Sequence, residues 1–197
     1  MPSLFKKLKL EGLILIEPGV FPDNRGFFME TYKKSEYARN GIDMDFVQDN
    51  QSYSTKGVVR GMHYQRPPHA QGKLVRVVSG RVLDVVVDMR ASSPSFGEWE
   101  GVELSGENKR MLWISPGFAH GFACLSEDAV LLYKCTAEYD KASEAGFRYD
   151  DPEVGVKWPF MDAAVSDKDA ALPPFSGVNR EYVLPNGRIV FPDFLKK

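Results

Sequence analysis

The sequence has little cysteine and no long apolar run. Its 197 residues include two cysteines, Cys124 and Cys135, which could form at most one disulfide bond. Both lie in apolar, strand-like segments, so we expect free, buried thiols in a cytoplasmic protein. The longest apolar run is five residues, Ala129–Tyr133, far short of the roughly 20 that cross a bilayer. Only Leu13–Ile16 follow the lysines near the N-terminus, so we expect neither a secretory signal nor a membrane partner.

A surplus of charge of one sign is also missing. The chain has 25 Lys and Arg against 27 Asp and Glu, a net charge of −2, which argues against a nucleic-acid partner. The patterns Gly-x-x-x-x-Gly-Lys, Gly-x-Gly-x-x-Gly and Gly-x-Ser-x-Gly are absent. These patterns bind nucleotide phosphates or carry a nucleophilic serine, so neither a P-loop or Rossmann fingerprint nor a nucleophile elbow is present.

Short strands between turns dominate what is present, with 17 glycines and 13 prolines. Lys73–Ser79 and Arg81–Asp88 lie on either side of Gly80 and carry apolar residues at Leu74, Val75, Val77, Leu83, Val85 and Val87, which predicts a hairpin. Similar segments recur every eight to twelve residues, which predicts an all-β sandwich or jelly roll. One helix is expected, capped by Ser35 and ended by Asn40-Gly41. We expect a single domain over residues 1–197, with loops and short helices after residue 140 and a C-terminal tail of unknown role at 173–197.

Histidine is scarce, and its placement bears on chemistry. His63 and His120 each lie near glycine, where a ligand can approach the backbone closely, whereas His69 stands in a proline-rich loop. Structural, hydrogen-bonded histidines remain the alternative. Jelly rolls often hold a metal with two or three histidines and a carboxylate. No His-x-His pair exists here, and 57 positions separate His63 from His120, so we expect no metal.

An acid and a base can both be found among these strands. Tyr133 and Tyr139 flank the end of one strand, and a phenol, with a pKa of about 10, can donate a proton. An imidazole, with a pKa of about 6.5, can accept one. The pair would suit inversion at a carbon atom, although the residues alone favour a core tyrosine with a bonded hydroxyl at Tyr133. Basic side chains near glycine turns, such as Arg25 and Lys73, would suit a phosphate.

A series of motifs resembles the dTDP-4-dehydrorhamnose 3,5-epimerase family. Their order and spacing match from about residue 11 to residue 172. The motifs are Arg25-Gly-Phe-Phe-x-Glu30, Phe46-Val-Gln-Asp-Asn50, Arg60-Gly-Met-His63-Tyr-Gln65, Gln71-Gly-Lys-Leu-Val-Arg76, Asp84-Val-Val-Val-Asp88-Met-Arg90, Ser105-Gly-Glu-Asn-Lys-Arg110, Pro116-Gly-Phe-Ala-His-Gly-Phe122 and Leu132-Tyr-Lys134.

The resemblance implies a cupin-like jelly roll that acts as a homodimer without a cofactor. The substrate would be dTDP-4-dehydro-6-deoxy-D-glucose, epimerised at C3 and C5 to dTDP-4-dehydro-L-rhamnose in dTDP-L-rhamnose biosynthesis. His63 would be the base, Asp169 would hold its tautomer, Tyr133 would be the acid and Lys73 would stabilise the enolate oxygen. The implied substrate-binding residues are Arg25, Glu30, Gln48, Asp49, Asn50, Arg60, Lys73, His120, Tyr139, Glu144 and Lys168. Tyr139 would stack on thymine, and Arg25 and Glu30 would reach across from the partner subunit.

Three alternatives stay open at this point. A mono-epimerase acting at C3 or C5 alone would keep both His63 and Tyr133. A metal-dependent cupin oxygenase is disfavoured by the missing His-x-His pair. A catalytically inactive sugar-nucleotide-binding module is disfavoured by the presence of His63, Lys73 and Tyr133 together.

Overall fold

The computed structural model describes residues 3–178, and two antiparallel sheets form its framework. The strands are β1 (Leu4–Lys7), β2 (Leu13–Glu17), β3 (Val20–Asp23), β4 (Gly26–Met29), β5 (Gln48–Thr55), β6 (Val59–Gln65), β7 (Lys73–Ser79), β8 (Arg81–Asp88), β9 (Trp99–Ser105), β10 (Met111–Ile114), β11 (Phe118–Cys124), β12 (Asp128–Cys135) and β13 (Glu144–Gly146). The helices are α1 (Lys34–Arg39) and α2 (Asp167–Ala170), with a 3₁₀ turn at Phe175–Gly177.

One sheet has the order β1-β2-β10-β7-β12-β5, and the other has the order β13-β6-β11-β8-β9. Strands β3 and β4 form a separate two-stranded ribbon. The predicted all-β jelly-roll architecture is confirmed. Both cysteines are buried and free, as expected. Within residues 3–178, no helix is both long and apolar enough to span a bilayer.

The main core lies between the two sheets. Its side chains come from alternate positions of strands in both sheets, such as Val75 and Val77 of β7 with Val82 and Val86 of β8. The opposite face of β8, with Val85 and Val87, is also covered, by the segment that follows β13. Since β8 is buried on both faces, its sequence is nearly continuously apolar. The two aspartates of this strand, Asp84 and Asp88, are therefore buried.

The predicted hairpin at Gly80 is wrong, although the limits of both strands are right. Strand β7 pairs with β10 and β12, whereas β8 pairs with β9 and β11, so the chain crosses from one sheet to the other. Gly80 makes this crossing with φ of +76°, and a Cβ atom there would collide with the carbonyl oxygen of Asp128. Only glycine fits both conditions.

The predicted helix exists, but Ser35 does not cap it. Helix α1 begins two residues earlier than predicted, at Lys34 after Lys33, whose carbonyl accepts the first bonds from the N–H groups of Glu36 and Tyr37. The predicted end at Asn40-Gly41 is confirmed. The segment after residue 140 does contain loops and short helices, and Phe175 packs in the core on the outer side of β8. The rest of the predicted tail, residues 179–197, lies outside the described residues.

Candidate active site

Two overlapping cavities lie between the sheets at one end of the sandwich. Each has a volume of about 330–360 Å³, and both are lined by His63, Lys73, Tyr133 and Glu144. His63 and His120 come from the five-stranded sheet, where they are direct register partners on β6 and β11. Lys73 and Tyr133 come from β7 and β12 of the facing sheet. Side chains of opposite sheets therefore meet across one space.

The two histidine strands approach each other unusually closely. A Cβ atom on Gly121 would lie 2.6 Å from the carbonyl oxygen of Arg60 and 2.7 Å from the Met62 sulfur. A Cβ atom on Gly61 would lie 2.6 Å from the Gly121 Cα. The glycines beside both histidines thus permit close backbone contact, as the sequence predicts.

His63 is held by a buried carboxylate. Its Nε2 lies 2.7 Å from Oδ1 of Asp169, and the other carboxylate oxygen accepts the Gly61 N–H at 3.2 Å. Asp169 is placed by α2, whose first turn is capped by the Ser166 hydroxyl accepting the Asp169 N–H. Burial alone would raise the pKa of Asp169, but the bonds and charge of His63 outweigh it and lower this pKa. The ionised carboxylate accepts Nε2–H, which leaves Nδ1 of a neutral His63 as the proton acceptor.

The opposite wall carries a cation and a phenol. Lys73 Nζ lies 5.9 Å from the centre of the Tyr133 ring. Burial raises the pKa of Tyr133, so its hydroxyl stays protonated at neutral pH. Burial lowers the pKa of Lys73. Nearby groups favour the ammonium form, but their effect is smaller than that of burial. The cavity therefore places a base on one sheet and a proton donor on the other.

Polar side chains surround the cavity entrance. Glu144 accepts from Lys168 at 2.6 Å and from the Tyr139 hydroxyl at 2.9 Å. The Gln48 amide bridges Asn50 and the backbone N–H of Tyr139. Arg60 lines the cavity that also contains His120, and its Nε donates to the Ser54 hydroxyl at 3.0 Å. The entrance thus combines cations, amides and an exposed aromatic ring, a combination suited to a phosphorylated ligand with a flat base.

A family comparison identifies the family of the chain. Residues 7–177 match the family model described as dTDP-4-dehydrorhamnose 3,5-epimerase. The chain belongs to this epimerase family.

Known epimerases of the family are similar over most of their length. The dTDP-4-dehydrorhamnose 3,5-epimerase of Shigella flexneri is 51% identical over 164 residues, 83% of this chain and 91% of that protein. The Legionella pneumophila dTDP-6-deoxy-D-glucose-3,5-epimerase, solved with dTDP-4-keto-L-rhamnose, is 46% identical with a TM-score of 0.88, over 92% of this chain and 97% of that one.

A third relative is ChmJ, a 3'-monoepimerase from Streptomyces bikiniensis solved with dTDP. It is 34% identical with a TM-score of 0.81, over 86% of each chain. The solved form is a double mutant in which a histidine is replaced by asparagine and a tyrosine, 70 positions later, by phenylalanine.

Most residues that the sequence assigns to this epimerase site come together in one protomer, but three do not. Asp49 lies on the outer face of the six-stranded sheet, where its carboxylate pairs with Lys134 at 2.9 Å. Arg25 and Glu30 are exposed at the β3–β4 ribbon, and Arg25 pairs with Asp23. Asp49 therefore faces away from His63, because neighbouring residues of a strand point to opposite faces.

Three residues that line or support the cavity are missed by sequence reasoning. Ser166 caps the helix that carries Asp169. Ser52 lines the cavity that also contains His120, and Asp84 bonds to His120. Asp84 leaves a signal in the sequence, since a charged residue within the apolar segment Val82–Val87 needs a partner when that strand is buried. Ser52 and Ser166 leave no comparable signal. Within residues 3–178, no three His, Cys, Asp or Glu side chains group together as metal ligands.

Proposed function

We propose that the protein epimerises dTDP-4-dehydro-6-deoxy-D-glucose at C3 and C5, giving dTDP-4-dehydro-L-rhamnose for dTDP-L-rhamnose biosynthesis. The observation that carries this proposal is the His63–Asp169 pair facing Tyr133 and Lys73 across one cavity of a family member. The solved relative with bound dTDP-4-keto-L-rhamnose supports the nucleotide-sugar substrate.

The reaction follows from the acidity of carbon next to a ketone. His63 Nδ1 removes the proton from C3 or C5, and the electron pair of the C–H bond moves to give an enolate with its charge on the C4 oxygen. Lys73 stabilises that oxygen as charge develops. Asp169 accepts Nε2–H and stabilises the imidazolium that forms.

Inversion requires a proton from the other face. Tyr133 supplies it to the same carbon, which leaves a phenolate on Tyr133 and a protonated His63. Exchange with solvent restores both groups before the second carbon reacts. The matching replacements in ChmJ, a histidine and a tyrosine 70 positions apart, support this division because 70 positions also separate His63 from Tyr133.

The nucleotide part would bind at the entrance. Arg60 and Lys168 suit the diphosphate, and Tyr139, half exposed, suits stacking on thymine. Gln48, Asn50, Glu144 and His120 would bind sugar and base. Arg25 and Glu30 would contribute from the partner of a homodimer, which fits their exposure and their absence from the lining of both cavities. We further propose that the enzyme is cytoplasmic.

A mono-epimerase is the second candidate, favoured by the resemblance to ChmJ. In the test, the protein is incubated with the ketosugar and with a reductase that reduces the C4 ketone of dTDP-4-dehydro-L-rhamnose. Formation of dTDP-L-rhamnose supports double epimerisation. A product inverted at one carbon supports the mono-epimerase, and unchanged ketosugar contradicts both.

A further inference from the structure

An open cavity lies on the outer side of the five-stranded sheet, separate from the site around His63. It has a volume of about 480 Å³ and largely apolar walls. The rings of Phe96 and Phe175 lie 5.4 Å apart in these walls, together with Trp99 at the start of β9 and with Val154. Its lining shares no residue with the two cavities of the epimerase site. Proton transfer at His63 therefore does not account for it.

The chain leaves the described structure at the edge of this outer cavity. Phe175 is buried in the cavity wall, and Val178, the last described residue, packs against the same apolar cluster. Trp99 and Val178 both remain partly exposed. The family match ends at residue 177. The segment 179–197 therefore lies beyond the part shared with the family, and it starts beside an apolar surface.

The sequence of this segment predicts a β-hairpin. Pro185-Asn186-Gly187 is typical of a hairpin turn, because proline fixes the backbone at the first position and glycine readily adopts a positive φ. Apolar residues stand on both sides of the turn, at 182–184 and at 189–191. An isolated two-stranded hairpin is at best marginally stable in water. A hairpin with apolar side chains on both strands therefore needs a surface to cover.

Charge favours contact between this segment and the outer cavity. Residues 179–197 have four basic side chains against two acidic ones. The cavity has the opposite balance, with Glu98 and Glu153 against Lys9. Glu98 is paired with Lys9 at 2.8 Å, whereas Glu153 is exposed. Because exposed ion pairs contribute little, burial of apolar surface would provide most of the stability, and charge would favour this surface over others.

We propose that residues 181–191 dock as a hairpin on their own chain, over the outer cavity formed by Phe96, Trp99 and Phe175. The apolar side chains of the segment cover the partly exposed rings, and its basic residues lie near Glu153. The C-terminal segment then acts as a strap that closes the outer side of the five-stranded sheet. This inference does not depend on the proposed reaction.

Cross-linking in the full-length protein tests where the segment lies. The photoreactive residue p-benzoylphenylalanine replaces Phe191, or Tyr182 if that variant does not fold, and mass spectrometry identifies the linked peptides after irradiation. We expect an intramolecular link to a peptide that contains Phe96–Trp99 or Glu153-Val154. The same probe in place of Met161, which is 99% exposed, should not link to these peptides. Links only to other regions or to a second copy, or no link at all, overturn the proposal.

Hydrogen exchange of the full-length protein gives a second measurement. Val183→Asp combined with Ile189→Asp places a charge in each of the two apolar stretches of the segment. We expect exchange at Phe96–Trp99 to become about tenfold faster than in the wild type, because the covering segment is released. Asn179→Asp is the matched control, since it adds an aspartate outside both stretches, and it should leave exchange unchanged. Equal exchange in the wild type and the double variant overturns the proposal.

Discussion

Proton abstraction in this site depends on which nitrogen of His63 carries the proton. Asp169 is fixed by the cap of α2 and by the Gly61 N–H, so the carboxylate and not the solvent decides the tautomer. The side chain of His63 remains 31% exposed toward the cavity. An accessible, oriented imidazole of this kind suits a general base better than a structural histidine.

We expect His63→Asn to lower kcat by about 10²–10⁴-fold while dTDP binding stays nearly the same, because a positioned base is lost and the entrance is untouched. Single-turnover kinetics and calorimetric titration with dTDP measure the two quantities. His69→Asn is the control, since His69 is exposed in a loop. Equal losses in binding and turnover would assign His63 to binding instead.

We expect Tyr133→Phe to separate proton removal from inversion. His63 still abstracts a proton and returns one on the same face, so deuterium from solvent enters the ketosugar without net epimerisation. Stability should fall by about 1 kcal/mol or less, because only a hydroxyl is removed. NMR in deuterated water measures the incorporation of deuterium, and reduction of the sugar then reports its stereochemistry. Tyr53→Phe on the outer face is the control. Wild-type epimerisation by Tyr133→Phe would show that another group is the acid.

At the scale of elements, strand limits were predictable and strand partners were not. The apolar residues on either side of Gly80 define β7 and β8 closely, because an apolar segment bounded by turn residues marks a strand wherever it pairs. The pattern carries no information on which sheet a strand joins, so it predicts a hairpin turn at Gly80 where the chain in fact crosses between sheets. The site residues were found through motifs, whereas the outward orientation of Asp49 depends on the register of β5 with β12.

The close packing of β6 and β11 is the feature of the fold that most directly shapes the site. We expect Gly121→Ala to destabilise the protein by about 1–3 kcal/mol, since its Cβ would meet backbone and sulfur at 2.6–2.7 Å. Urea unfolding measures the change. Gly101→Ala on β9 is the control, because its Cβ would first meet the flexible end of Leu83 at 3.2 Å. Similar stability for both variants would show that the strands can separate freely.

At the scale of the whole molecule, a buried ion pair makes stability depend on pH. Asp88 and Arg90 are almost fully buried and joined at 2.7 Å, and Ser93 and Ser95 also donate to Asp88. Burial alone would raise the pKa of Asp88, but the hydrogen bonds and the Arg90 charge outweigh it and lower this pKa. A lowered pKa adds stability above the ordinary aspartate value of about 3.9, which is lost as pH falls through the folded-state value.

We therefore expect Asp88→Asn to cost about 3–5 kcal/mol at neutral pH, since it leaves Arg90 buried without its counter-charge. The difference in the free energy of unfolding between variant and wild type should narrow as pH falls below about 3.9 toward the folded-state pKa of Asp88. Over this range the wild type loses the stability that the ionised Asp88 provides. Urea unfolding at a series of pH values measures this difference. Asp162→Asn is the control, because Asp162 is exposed. A difference that stays constant through the acid range would contradict the lowered pKa.

The central claim is that one base and one acid invert two carbons next to a ketone. NMR of the ketosugar incubated with wild-type protein in deuterated water tests this most directly, because each carbon that reacts acquires deuterium from solvent. The account predicts deuterium at both C3 and C5, with both centres inverted in the product. Deuterium at one carbon alone would contradict double epimerisation, and none at either carbon would contradict the assignment of this cavity as an epimerase site.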